Sequence, residues 1–216
     1  VQGATRKALE SSDPPLALKD EIVNIYSRDE FEIVLVRVKK LFEDYPRSRF
    51  LLNTYGVSLA RLGRYKEALE YYDRTIEIDP KFVEVHNNRG NTLRELGEID
   101  AAIKSFRRST ELKPDYAEAH YNLGLAYQQR EDHKNAIISY NQAIELKPVY
   151  VDPHFNLAIV YQKLESTAQS VQCYLKVIEL NPGHVGAHIN LGIEYKKQDK
   201  YAQALKHLHE ATKLAP

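Results

Sequence analysis

AEAHYNLGLAYQQREDHKNAIISYNQAIELKP, residues 117–148, is the stretch that decides the fold. His120, Leu123, Gly124 and Tyr127 fall at helical spacing, and so do Ala136, Ile137, Tyr140, Ala143 and Ile144. Two helices are therefore expected, joined near residues 130–132. Gly124 and Ala136 take side-chain bulk away, so the two helices can approach closely, and the Tyr140 ring fills the space beside them. Pro148 carries no N–H and has a fixed φ. It also pushes Lys147 out of helical geometry, which stops the second helix.

The same unit recurs along the chain. Pro80, Pro114, Pro148, Pro182 and Pro216 stand 34 residues apart, and Pro46 lies one step further back. With the proline at position 32, units begin at Arg49, Val83, Ala117, Val151 and Val185. Position 8 then reads Gly56, Gly90, Gly124, Ala158 and Gly192, and position 20 reads Ala68, Ala102, Ala136, Ser170 and Ala204. Position 24 reads Tyr72, Phe106, Tyr140, Tyr174 and Leu208. A stack of such units has no single enclosed core and works by offering a long surface.

These positions resemble the tetratricopeptide repeat family, closely over residues 49–216 and loosely over 15–48. The resemblance implies an all-α, right-handed solenoid (superhelix) of helix-turn-helix units. The expected divisions are an N-terminal extension at 1–14, a degenerate helix pair at 15–48, and repeats at 49–82, 83–116, 117–150, 151–184 and 185–216, the last truncated at its end. In the degenerate pair Val34, Val38 and Leu41 fall at positions 20, 24 and 27. Glu21 falls at an apolar position in that register. Sliding the first helix by one residue places Ile22, Val23 and Tyr26 at positions 7, 8 and 11, with a turn one residue shorter near 27–29. Val34 stands where the other units have a small residue, so this pair is expected to pack at a different distance.

Composition excludes several function classes. Lys plus Arg and Asp plus Glu both total 30 among 216 residues, and a general nucleic-acid binder needs a basic stripe. No window of about 18 apolar residues exists to cross a membrane. The one cysteine, Cys173, can form no internal disulfide. No phosphate loop, Gly-x-Ser-x-Gly turn or paired carboxylate is present, so neither cofactor nor catalysis is expected. The sequence contains no Met and closes at position 32 of a unit. It is therefore expected to be a segment of a longer protein, in the cytoplasm.

The family resemblance places positions 2, 5, 6, 9, 12 and 13 of each first helix on a concave face. Position 6 carries Asn88, Asn122, Asn156 and Asn190, with Thr54 in the first full unit. An Asn amide offers one acceptor and two donors, so it can pair with the backbone of an extended peptide of any sequence. Helices about 8–10 Å apart and a peptide advancing about 3.3–3.6 Å per residue would bring one Asn to every third residue. Asn87, Asn91, Tyr121, Phe155, Arg94 and Lys196 are the neighbours expected to add specificity. This ladder resembles that of O-linked N-acetylglucosamine transferases, through the words at 86–90, 120–124, 154–158 and 188–192, and similar words recur in bacterial repeat-transferase proteins. A clamp for a C-terminal carboxylate is not expected, because Asn87, Asp152 and Asn156 stand where its cations belong and Glu84, Glu118 and Asp152 make an acidic row.

His86, His120, His154 and His188 recur at position 4, one per unit, too far apart to share an ion. They are expected to pack between helices, with no metal bound. The expected function is recognition of a protein or peptide in the groove, with no part for nucleic acid or membrane. The competing readings are the substrate-selecting arm of a glycosyl- or sulfotransferase, and self-association through the uncapped last helix, residues 201–214.

Overall fold

The computed structural model describes residues 13–215, so the expected extension at 1–14 lies almost wholly outside them. Among the described residues there are twelve α-helices and no strand. Those up to Lys113 form one compact unit and those from Pro114 onward a second. The first holds α1 (Leu16–Tyr26), α2 (Phe31–Leu41), α3 (Arg49–Arg61), α4 (Tyr65–Ile78), α5 (Val83–Glu95) and α6 (Ile99–Leu112). The second holds α7 (Ala117–Gln129), α8 (His133–Leu146), α9 (Val151–Lys163), α10 (Thr167–Leu180), α11 (Val185–Lys197) and α12 (Tyr201–Leu214). Within each unit every helix packs on its neighbours in sequence, and the first helices α3 and α5, or α7 and α9, also meet. This is the all-α solenoid expected from the period.

Turn chemistry repeats with the sequence. Asp79, Lys113, Lys147, Asn181 and Ala215, each before a proline, leave the helix at φ between −134 and −143°, as the clash with the proline ring demands. Between the helices of each hairpin, position 15 is left-handed: Gly63 (φ 75°), Gly97 (80°), Glu131 (61°), Glu165 (56°) and Asp199 (58°). The next N–H reaches back to the carbonyl at position 11, as in Arg64 to Leu59 (2.9 Å), Asp132 to Tyr127 (2.9 Å) and Ser166 to Tyr161 (2.9 Å). These are Schellman closures, which satisfy the carbonyls a helix leaves open at its C-terminus.

Close approach within each hairpin rests on positions 8 and 24. A Cβ placed on Gly56, Gly90 or Gly124 would lie 2.7, 2.6 or 2.5 Å from the ring of Tyr72, Phe106 or Tyr140. At Gly192 it would lie 2.7 Å from Leu208 Cγ. The rings of Tyr72, Phe106, Tyr140 and Tyr174 are fully buried, as are the small residues Ala68, Ala102 and Ala136. Cores are local. One gathers Leu35, Leu59, Ala68, Tyr72 and Val85 from α2 to α5, and another gathers Ala158, Tyr174, Val177, Leu191 and Ala204 from α9 to α12.

The degenerate pair corrects the expected one-residue slide. Ile22 is fully buried and Val23 is 53% exposed, so Ile22 occupies position 8 and Val23 does not. Asp29 has φ 58° at position 15, as in every other hairpin, and the turn is not shortened. Glu21 therefore does stand at position 7. It is held there by Arg37 at position 23, through Nε–Oε1 (2.7 Å) and Nη2–Oε2 (2.8 Å). In the unit at 83–116, Arg89 at position 7 likewise reaches Ser105 at position 23 (3.0 Å). Bulk is exchanged across the pair: Ile22 replaces the glycine and Val38 replaces the ring, and both are fully buried.

Changing Gly124 to Leu should therefore cost about 1–3 kcal/mol through overpacking against Tyr140. Chemical denaturation monitored by circular dichroism would measure it, and an unchanged midpoint would contradict the contact.

Candidate peptide-binding face

First helices present positions 2, 5, 6, 9, 12 and 13 along one side, since residues three and four apart are neighbours on a helix. The candidates divide between the two compact units. In the first, Asn88, Asn91 and Arg94 on α5 are half-buried, and Asn87 is buried at 1% exposure. In the second, Tyr121, Phe155, Asn156 and Asn190 are half-buried, Asn122 is 7% exposed, and Lys196 is open to solvent. Asn87 and Asn122 thus lie inside the packing and not on an open face.

The amides already have structural work, which sequence reading missed. Asn88 Nδ2 donates to Asn53 Oδ1 (3.1 Å), and Asn156 Nδ2 donates to Tyr121 Oη and Asp152 O (both 3.1 Å). In both cases position 6 reaches position 5 of the preceding repeat. Asn190 cannot do so, because Phe155 at that position has no acceptor. It donates instead to Tyr174 Oη (3.0 Å). Tyr174 Oη donates to Gln162 Oε1 (3.0 Å), and Gln162 Nε2 donates to Glu194 Oε1 (2.9 Å), which also takes Lys197 Nζ (2.7 Å). Glu194 is 1% exposed at a position otherwise held by Ser58, Thr92, Ala126 and Val160. A carboxylate at a small-residue position was the available signal for this network.

Apolar side chains line the same side of the second unit. Ile189 and Ile193 at positions 5 and 9 of α11 are each 40% exposed. Phe155 lies one repeat earlier, its ring 4.5 Å from His184 and its Cζ 3.2 Å from where a side chain on Gly186 would begin. Glu118 and Asp152 are exposed near the helix starts, Lys163 and Lys196 near the ends. On α12, Tyr201 and Leu205 are 62% and 70% exposed beside a shallow hollow of about 470 Å³ lined by Ala202, Leu205, Lys206 and His209.

Family models match along the chain. One described as TPR repeat matches residues 56–93 and 90–131, and others described as tetratricopeptide repeat match 117–150, 151–184 and 173–206. The chain belongs to the tetratricopeptide repeat family. Among solved structures it is similar to a crystal structure of MamA, at 28% identity and TM-score 0.71 over 74% of this chain and 93% of that one. It is also similar to MamA 41-end from Desulfovibrio magneticus RS-1 (21%, 0.71, 77% and 94%). A third is YrrB, described as a TPR protein with an unusual peptide-binding site (21%, 0.70, 83% and 92%). The two likenesses at 21% speak to fold alone. No curated protein sequence matches. None of the helices among the described residues is long and apolar enough to cross a membrane.

Of the position-4 histidines, His86, His154 and His188 are buried and His120 is half-buried, and all four share a further task. Nε2 of His86, His120, His154 and His188 lies 2.9, 2.9, 3.0 and 3.1 Å from the carbonyl oxygen of Pro80, Pro114, Pro148 and Pro182. A carbonyl only accepts, so each Nε2 carries the proton. Cys173 is half-buried, and burial pushes its thiol up to about 11, so it is a poor nucleophile. Burial holds His86 below the ordinary imidazole value; Arg108 and Arg89 add to this, while the bond to Pro80 and the charge of Asp79 oppose it.

A depressed imidazole value means the unfolded chain takes up the proton first as pH falls. The contribution of His86 is thus complete above its unfolded value near 6.5 and is lost as pH drops through its folded value. The melting temperature should fall on acidification across that window. The fall should be shallower in His86→Leu, which copies Leu52 at the same position.

Proposed function

We propose that this chain is a protein-interaction module that holds an extended peptide or protein segment against the first-helix face of α7, α9 and α11. The observation that carries the reading is the exposure of Ile189 and Ile193 where the repeats in the first unit have Asn53, Asn87, Val57 and Asn91. Two half-open isoleucines beside a phenylalanine suit apolar side chains of a partner. Asn156 Nδ2 spends both of its N–H donors internally and Asn190 Nδ2 one of its two, so on this reading each Oδ1 accepts from a partner's N–H groups and Asn190 keeps one donor for a partner carbonyl. Net hydrogen-bond contributions of about 0.5–1.5 kcal/mol each make those amides aligners and leave most of the affinity to apolar contact. Asp152 at one end and Lys196 at the other give the bound segment a direction. The peptide-binding site named for YrrB supports the class of ligand, and the reading assigns the chain no catalytic step. The kinship to transferase arrays rests on the His-x-Asn words alone.

Peptides selected from a random library against the full chain should carry adjacent apolar residues. Burying one isoleucine contributes about 1.5–3 kcal/mol, so Ile189→Asp should weaken them by about tenfold or more with helicity unchanged. Equal binding by Ile189→Asp and by Asn156→Ala would overturn this face as the site.

Exposure of Tyr201 and Leu205 favours a second, separate reading. Their counterparts Tyr65 and Leu69 are half-buried, with Leu69 packed in a cluster that includes Val85 of the following repeat. A second copy stacking on α12 would supply the same cover. Sedimentation should then show concentration-dependent dimers that Leu205→Lys abolishes, and a strict monomer would remove the idea.

A further inference from the structure

His207 lies outside the set of histidines that recurs at position 4. It stands at position 23, where the other units carry Tyr71, Ser105, Ser139 and Cys173. His188, at position 4 of the same hairpin, already makes the bond to Pro182 that His86, His120 and His154 make to their own prolines. Across α11 and α12 the two rings then meet Nδ1 to Nδ1 at 3.2 Å, with centroids 5.3 Å apart. They lie 19 residues apart in sequence, so spacing along one helix gives no hint of the pair.

That contact has a definite proton pattern. His188 keeps its proton on Nε2, because Pro182 O can only accept. Its Nδ1 is therefore a bare lone pair, and His207 Nδ1–H donates to it. A histidine that gives its second N–H to a backbone carbonyl is oriented in the way metal-ligating histidines are. Two nitrogens each about 2.0–2.1 Å from a tetrahedral zinc lie about 3.3 Å apart, which matches the observed separation. The ring of Tyr195 stacks on His207 with centroids 5.7 Å apart and limits its rotation.

We propose that His188 Nδ1 and His207 Nδ1 form a two-imidazole site for a borderline divalent transition ion such as zinc or copper(II). On binding, the Nδ1 proton of His207 moves to its Nε2 through solvent, and both imidazoles stay neutral. Among the described residues no three His, Cys, Asp or Glu side chains converge on one point, so water completes the coordination. Glu210, one turn beyond His207 and now paired with Lys213 at 2.8 Å, is the nearest carboxylate in sequence that could join after a side-chain rotation. Such a site would tie α12 to α11.

Zinc added to the full chain should bind at one equivalent by calorimetry. His207→Ser, which borrows the residue of Ser105 and Ser139, should weaken it by about tenfold or more, while His209→Ser should not. In the unaltered chain, 15N imidazole spectra should place zinc on Nδ1 of both rings, and copper(II) resonance should show two nitrogen couplings. Absence of binding at millimolar zinc, attachment through Nε2, or equal affinity in His207→Ser would each overturn the proposal.

Discussion

Contact between position 8 of one helix and position 24 of its partner governs the architecture. Gly56, Gly90, Gly124 and Gly192 leave space that Tyr72, Phe106, Tyr140 and Leu208 fill so tightly that an added Cβ would sit inside van der Waals contact. That contact sets the depth of each hairpin. Depth in turn decides which residues reach the next first helix, so the local cores follow from it. Two hairpins solve the same packing differently. Ala158 is accepted opposite Tyr174, both fully buried, and Ile22 with Val38 reverses the sizes altogether. What is conserved along the stack is the filled volume, as expected for interiors packed to crystal-like density.

Much of this was legible because the period supplied redundancy. Six prolines, five small residues at position 8 and four rings at position 24 each state the same hairpin, and the structure places the small residues and the rings as read. Reading failed where a residue had to be judged alone. Glu21 conflicts with an apolar position 7, yet Arg89 at the same position is a visible exception. The physical requirement there is a partner at position 23, which Arg37 and Ser105 supply. Likewise the left-handed turn residue is glycine only at Gly63 and Gly97. At Asp29, Glu131, Glu165 and Asp199 the fold imposes the same φ on side chains that disfavour it, so a glycine search would have missed four turns of six.

The candidate face was less legible, for a related reason. A polar side chain in a repeat can face solvent or hold the neighbouring repeat, and periodicity is the same for both. Asn88 and Asn156 hold the preceding repeat through position 5, and Asn87 and Asn122 are buried outright. The substitution of Phe155 for a hydrogen-bonding residue shows how strong this demand is. Asn190 keeps a partner by turning to Tyr174, and this contact recruits the chain through Gln162 to the buried Glu194 and on to Lys197. An unpaired buried carboxylate would be costly, so Gln162 and Lys197 are what let Glu194 stay at a small-residue position.

These internal commitments narrow what the surface can recognise. On the proposed reading, Asn156, with both donors spent, would only accept from a partner, while Asn190 would keep one N–H to donate. With so few amide groups left uncommitted, register of the proposed peptide would come from side chains fitting beside Phe155, Ile189 and Ile193. In the first unit the same positions are Asn53, Val57, Asn87 and Asn91, which offer little apolar area. On the proposed reading, recognition strength would be set by which residue occupies positions 5 and 9 of each repeat, while the hairpin contacts at positions 8 and 24 stay constant beneath it. Such a separation would let one scaffold change its partner without changing its fold.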